Sequence, residues 1–100
     1  MLNIKQEKNG EELTVSLEGR LDTTSAPQLE GELKTAVDGV TKLIMDLKDL
    51  VYVSSAGLRV LLATQKVMLR QGEMVIRGAN EDVMEIFEVT GFVDILNIEK

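Results

Sequence analysis

The first part of the chain alternates between apolar and polar residues. Residues 2–6 and 12–18 show a period of two, with Leu13, Val15 and Leu17 on one face of the second segment. This alternation predicts two strands. Between them, Asn9-Gly10 offers the positive φ angles that a tight hairpin turn needs, so the two strands are expected to pair antiparallel.

A helical pattern follows Gly19. Ser25 stands three residues before Gln28 and two before Pro27, which predicts a capping box at the start of a helix. Gly39 lies where a left-handed residue is expected to end that helix. The apolar residues that recur at helical spacing in this segment are Leu29, Leu33, Ala36, Val37 and Val40.

The second half of the chain alternates strand and helix patterns. Residues 42–47 form a nearly continuous apolar run, which is typical of a central strand covered on both faces. The remaining predicted elements are a helix at 55–71 closed by Gly72, a strand at 73–77, a third helix capped by Asn80 and ended by Gly91, and a last short strand at 95–98.

The order β-β-α-β-α-β-α-(β) predicts an α/β fold. Strands that are separated by single helices join through right-handed crossovers, so the strands from residue 12 onward are expected to be parallel. The N-terminal hairpin adds one antiparallel edge. We therefore predict one domain over residues 1–100, with a mixed, mostly parallel sheet of four to five strands and three to four helices.

Functional groups in such sheets gather where strand carboxyl ends meet the helices that follow. The connection at residues 47–57 is one such junction, and Asp22, just past the second predicted strand, belongs to the same edge. One serine of the Ser54-Ser55 pair is expected to cap the second helix. Gly57 costs about 1 kcal/mol in a first helical turn, so it indicates either tight packing or the close approach of another group.

Composition narrows the function classes. The net charge of −6 would repel a phosphate backbone or an anionic bilayer, so neither nucleic acid nor membrane is an expected partner. The chain has no cysteine and no histidine, which removes the usual metal ligands, the commonest general base and the thiol nucleophile. No leader or long apolar run is present, so we expect a cytoplasmic protein. We also expect no metal or other cofactor.

Three segments resemble the STAS domain, in particular the bacterial anti-sigma factor antagonists that consist of this domain alone. DLKDLVYVSSAGLRVLL at 46–62 looks like the family signature, in which a strand ending in Asp-Leu precedes an Asp-Ser-x-Gly-Leu helix start. VSLEGRLDTTSAPQLEGEL at 15–33 resembles the L-x-G-x-L-D segment. QGEMVIRGANEDVMEIFEVTGF at 71–92 resembles the closing strand and helix, so the resemblance covers nearly the whole chain.

The resemblance implies a partner-switching mechanism. Members of this kind bind an anti-sigma factor that is also a serine kinase, and thereby free the sigma factor; phosphorylation of one serine breaks the complex, and a phosphatase restores it. By position in the motif, that serine falls on Ser55, with Ser54 as a second candidate. The docking surface that the resemblance implies comprises Asp22, Thr23, Val53, Ser54, Ser55, Ala56, Gly57, Leu58 and Arg59.

The chain departs from the family pattern at two positions in this surface. Ser54 stands where many members carry aspartate, and Arg59 where many carry a small residue. A docking, scaffold or ligand-sensing STAS module that is never phosphorylated therefore stays open as an alternative. An enzyme with a serine nucleophile is disfavoured, because the chain has no histidine and no G-x-S-x-G elbow. A monomer or a weak dimer is expected.

Overall fold

A computed structural model describes residues 2–99 as a four-stranded sheet with three α-helices and one short 3-10 helix. The α/β class and the order of elements through the third helix are thus as predicted. The strands are β1 (Leu2–Asn9), β2 (Glu12–Leu21), β3 (Lys42–Val53) and β4 (Glu73–Arg77); the helices are α1 (Ala26–Ala36), α2 (Ser55–Gln71) and α3 (Glu81–Thr90), with the 3-10 helix at Phe92–Asp94.

The sheet has the order β1-β2-β3-β4 and is mixed, as the sequence predicts. β1 and β2 are antiparallel, and the β2–β3 and β3–β4 pairs are parallel. The hairpin turn lies one residue later than expected, because Asn9 still pairs with Glu12. Gly10, with φ of +65°, supplies the positive angle, and no non-glycine residue within 2–99 has a positive φ. Asn9 is therefore a strand residue, and glycine is the first central residue of the turn.

All three helices pack on one face of the sheet. A single hydrophobic cluster joins inward-facing residues of the strands with Leu29 of α1, Leu61 of α2 and Phe87 of α3. The prediction that β3 is covered on both faces is confirmed for its apolar run, because Leu43, Ile44 and Met45 are all buried, although the helices lie on only one of the two faces. Ile44 is buried on the opposite face, outside this cluster, where the strand register places Thr14 and Val75 beside it.

β3 is longer than its apolar run suggests. It continues to Val53 through two shifts of register against β2, so that Leu47, Leu50 and Val53 are all buried. A spacing of three residues breaks the period of two that identifies a strand in a sequence, which is why the prediction stopped at residue 47. In the first irregularity, Asp46 Oδ1 accepts a hydrogen bond from the Lys48 amide at 3.0 Å.

The predicted strand at 95–98 is reduced to one bridge, between Ile98 and Ile76. The chain before it turns instead, because the amides of Ile95 and Leu96 both donate to the Phe92 carbonyl, at 3.0 and 2.8 Å. The sheet accordingly has four strands. Within residues 2–99, no helix has both the length and the apolar character needed to cross a membrane.

Candidate functional site

The two adjacent serines have different roles at the start of α2. Ser54 is the N-cap residue, with an extended backbone, and its hydroxyl accepts a hydrogen bond from the Gly57 amide at 3.2 Å. Its own amide donates to the Leu21 carbonyl at 2.8 Å, which ties the helix start to the end of β2. Ser55 is the first helical residue and is exposed, whereas Ser54 is half-buried. The cap is therefore Ser54, and the hydroxyl of Ser55 is presented to solvent.

Removing this cap is expected to weaken the fold moderately. Ser54→Ala leaves the Gly57 amide without its acceptor, so the free energy of unfolding should fall by about 1 kcal/mol. The free energy of unfolding of Ser54→Asp should lie within about 0.5 kcal/mol of the wild-type value, because aspartate caps as well as serine. Urea unfolding followed by circular dichroism measures both, and an unchanged stability in Ser54→Ala would contradict the capping role.

Gly57 allows α2 to lie directly against the end of β2. A Cβ atom at this position would come within 2.6 Å of Leu21 Cγ and 3.0 Å of the Leu21 carbonyl oxygen. The distance to Leu21 Cγ is shorter than real Cβ atoms show, so a side chain at position 57 would force Leu21 or the helix to shift. Of the two interpretations left open by the sequence, the structure supports tight packing of the helix on the sheet.

Asp22 organises the loop between β2 and α1. Its Oδ1 accepts hydrogen bonds from the backbone amides of Ser25 and Thr24, at 3.0 and 3.1 Å, and lies 3.1 Å from the Ser25 hydroxyl. These bonds, first that from the Ser25 amide, lower the pKa of the Asp22 carboxyl below its ordinary value. The carboxylate is thus the form that folding favours, and its contribution is lost as the pH falls through this lowered pKa.

The predicted capping box at Ser25 is wrong. Ser25 does precede α1, but its side chain makes no capping hydrogen bond to that helix. Its hydroxyl turns back into the loop instead, where it donates to the Arg20 carbonyl at 2.8 Å and accepts from the Asp22 amide at 2.9 Å. The Asp22 carboxylate, with its three contacts to this loop, replaces the box that the spacing to Gln28 suggested.

The structure brings the predicted site residues to one edge of the sheet, where some of them are accessible to solvent and others are buried. Leu21, whose carbonyl accepts the hydrogen bond from the Ser54 amide, directly precedes Asp22. The loop and the start of α2 are therefore neighbours. The half-buried or exposed members are Asp22, Thr23, Ser54, Ser55, Ala56 and Arg59, whereas Val53, Gly57 and Leu58 are buried. These last three support the surface from below and do not face outward.

Arg20 and Tyr52 also belong to this edge, and the sequence did not reveal them. The Arg20 guanidinium lies 4.5 Å from the centre of the Tyr52 ring, and its Nε is 4.0 Å from Asp22 Oδ2. Val51, next to Tyr52, has 55% of its surface exposed. The second register shift of β3 sets Arg20 opposite Tyr52, and only strand pairing shows such a shift.

A cleft lies between the N-terminal halves of α1 and α2, and Ala56 and Arg59 of α2 are among the residues that line it. Arg59 and Glu30 lie on opposite walls, and the floor is made largely of small residues. Within residues 2–99, the two ion pairs are Arg20–Asp22 and Arg77–Glu99, and neither includes Arg59. No group of three residues able to hold a metal ion occurs in the same part of the chain. The cleft residues are Thr23, Ala26, Pro27, Glu30, Ala56, Arg59, Val60 and Ala63.

Comparison with known proteins defines the class. Residues 3–100 match the STAS domain family, so the chain belongs to that family. It is 41% identical over 88 residues to the putative anti-sigma factor antagonist BtrV of Bordetella bronchiseptica, covering 86% of this chain and 76% of BtrV. It is also 31% identical over 98 residues to the anti-sigma-B factor antagonist of Bacillus subtilis, covering 97% and 90% of the two chains.

Solved structures share the fold. The crystal structure of an anti-sigma factor antagonist from Mycobacterium paratuberculosis superimposes with a TM-score of 0.88 at 22% identity, covering 98% of this chain and 85% of that one. The Bacillus cell fate determinant SpoIIAA in its phosphorylated form gives a TM-score of 0.75 at 19% identity, covering 98% and 92%. The mixed sheet with three helices is therefore the STAS fold.

Proposed function

We propose that this protein is a cytoplasmic anti-sigma factor antagonist that binds an anti-sigma factor serine kinase and is released when Ser55 is phosphorylated. The bound form frees the sigma factor, so the protein regulates transcription without contacting DNA. A serine phosphatase returns the modified protein to the binding form. The protein acts as one STAS domain and has no enzymatic activity of its own. Its B. subtilis relative, which is named an anti-sigma-B factor antagonist, supports this role.

The observation that carries the proposal is that the two serines differ in exposure and in their role at the start of α2. A kinase needs a hydroxyl that can enter its active site, and Ser55 is exposed at the first position of α2. The Ser54 hydroxyl is half-buried and serves as the cap of the same helix. Ser55 is thus the better acceptor, and modifying it leaves the capping hydrogen bond in place.

The position of Ser55 also suits a switch that acts on binding and not on folding. A phosphate there adds about 1.5 to 2 negative charges at the positive end of α2, where the dipole favours an anion. The first turn of α2 contains no acidic residue that would oppose it. In the middle of a docking surface, the same charges would be buried against the partner without compensation. The fold is preserved and the complex is lost.

Phosphorylation mapping tests the proposal directly. The protein is incubated with its cognate anti-sigma factor kinase and ATP, and the modified residue is identified by mass spectrometry. We expect one phosphate on Ser55 in the wild type and in Ser54→Ala, and none in Ser55→Ala. Modification of Ser54 alone would transfer the switch to that residue. Absence of phosphate on both serines would favour the docking-module alternative.

A further inference from the structure

Arg59 is a cation next to the proposed switch. It is exposed on α2, it lines the cleft between the two helix starts, and it joins neither of the ion pairs found within residues 2–99. Glu30 stands on the opposite wall of the cleft without coming within 4.0 Å of it. The guanidinium is therefore available for an anion that appears in its vicinity.

Helix geometry directs this guanidinium toward Ser55. The two residues are four apart in α2, so their Cβ atoms lie about 5–6 Å from each other on one face. Long side chains on a helix lean over the turn that precedes them, so Arg59 covers the first turn, where Ser55 lies. An acidic group four residues before a basic one is also the more favourable order for an ion pair within a helix.

We propose that Arg59 binds the phosphoryl group of phosphorylated Ser55 and holds it against the first turn of α2. This inference rests on the proposed modification of Ser55. Arginine presents a planar fork of N–H donors that matches phosphate oxygens, and a dianion attracts it more strongly than the single charge of Glu30 does. Phosphorylation would then change the docking surface twice, by adding negative charge and by withdrawing the positive charge of Arg59 from the partner.

The other charged groups around Ser55 do not offer an equivalent contact. Asp22, in the neighbouring loop, carries a carboxylate, and the arginine on that side, Arg20, is already engaged with Asp22 and the Tyr52 ring. Glu30, on the α1 wall, is also acidic. Arg59 is the cation that α2 itself supplies within about one turn of Ser55.

The second pKa of the phosphate measures this contact. Phosphoserine is installed at position 55 during translation, so the experiment needs no kinase, and ³¹P NMR follows the titration of the phosphate. We expect its second pKa to be about 0.15 to 0.4 unit higher in Arg59→Gln than in the wild-type background, because losing the cation favours the monoanion. Arg59→Lys should restore part of this difference. The Arg59 Nε–H signal should also shift on phosphorylation.

Lys66→Gln is the matched control. Lys66 is exposed on the same helix, seven residues after Arg59, so the change in charge is equal but distant. It should shift the phosphate pKa by less than about 0.1 unit, since solvent screens a separation of this size. Equal pKa values in Arg59→Gln and Lys66→Gln would overturn the proposal. A kinase assay that leaves Ser55 unmodified would instead overturn the proposed function and leave this titration unaffected.

Discussion

Gly72→Ala is expected to lower the free energy of unfolding by about 3 kcal/mol, among the largest effects of a single methyl group in this fold. Gly72 follows α2, and a Cβ atom there would lie 1.8 Å from the Thr41 carbonyl oxygen and 2.6 Å from the Thr41 carbonyl carbon. That oxygen accepts a hydrogen bond from the Glu73 amide at 2.9 Å, at the start of the β3–β4 pairing. The backbone must therefore move where the two parallel strands begin.

Gly31→Ala provides the matched control for this prediction. Gly31 lies inside α1 and is exposed, and a Cβ atom there would meet nothing within 4 Å beyond the adjacent backbone of its own helix. The same substitution should there stabilise the protein by about 0.5 to 1 kcal/mol, because alanine is the better helix former. Urea unfolding of both variants measures the difference. A Gly72→Ala variant as stable as the wild type would contradict the close approach of position 72 to the Thr41 carbonyl.

Ser55→Asp is expected to weaken binding to the anti-sigma factor kinase by about 2 to 5 kcal/mol, or roughly 30- to 5,000-fold in Kd. The reason is that a carboxylate at the first position of α2 places a charge in the proposed docking surface, where the partner offers no group to compensate it. The fold should be intact, because the helix dipole favours an acidic residue at this position. Isothermal titration calorimetry with the kinase measures the loss, and circular dichroism verifies the fold.

Two variants make this measurement specific. Ser55→Ala removes the hydroxyl without adding charge and should bind within a few-fold of the wild type. Ser54→Asp adds the same charge one residue earlier, at a half-buried cap that faces the Gly57 amide, and should also retain binding. Full affinity in Ser55→Asp would contradict the proposal that Ser55 lies in the docking surface. Equal losses in both aspartate variants would attribute the effect to net charge alone.

Much of this site was visible in the sequence, because its local signals were strong. Ser54 and Gly57 have the spacing of an N-cap and the amide that it accepts from, and Asn80 caps α3 through the Val83 amide as its position suggested. Ser25 shows the limit of such signals. Its spacing to Gln28 fits a capping box, but the nearby Asp22 carboxylate and Arg20 carbonyl offered its hydroxyl other partners.

Local sequence was enough to predict the order of elements, the antiparallel hairpin, the bounds of α2 and the two loops that form the site. These follow from periodicity, glycine positions and caps, which act over a few residues. Three features required the folded chain: how far β3 extends, the position of Arg20 over Tyr52, and the placement of Arg59 in the cleft outside the ion pairs. The first two depend on the register between β2 and β3, and the third depends on the packing of α1 against α2. Both bring together residues that are distant in the chain.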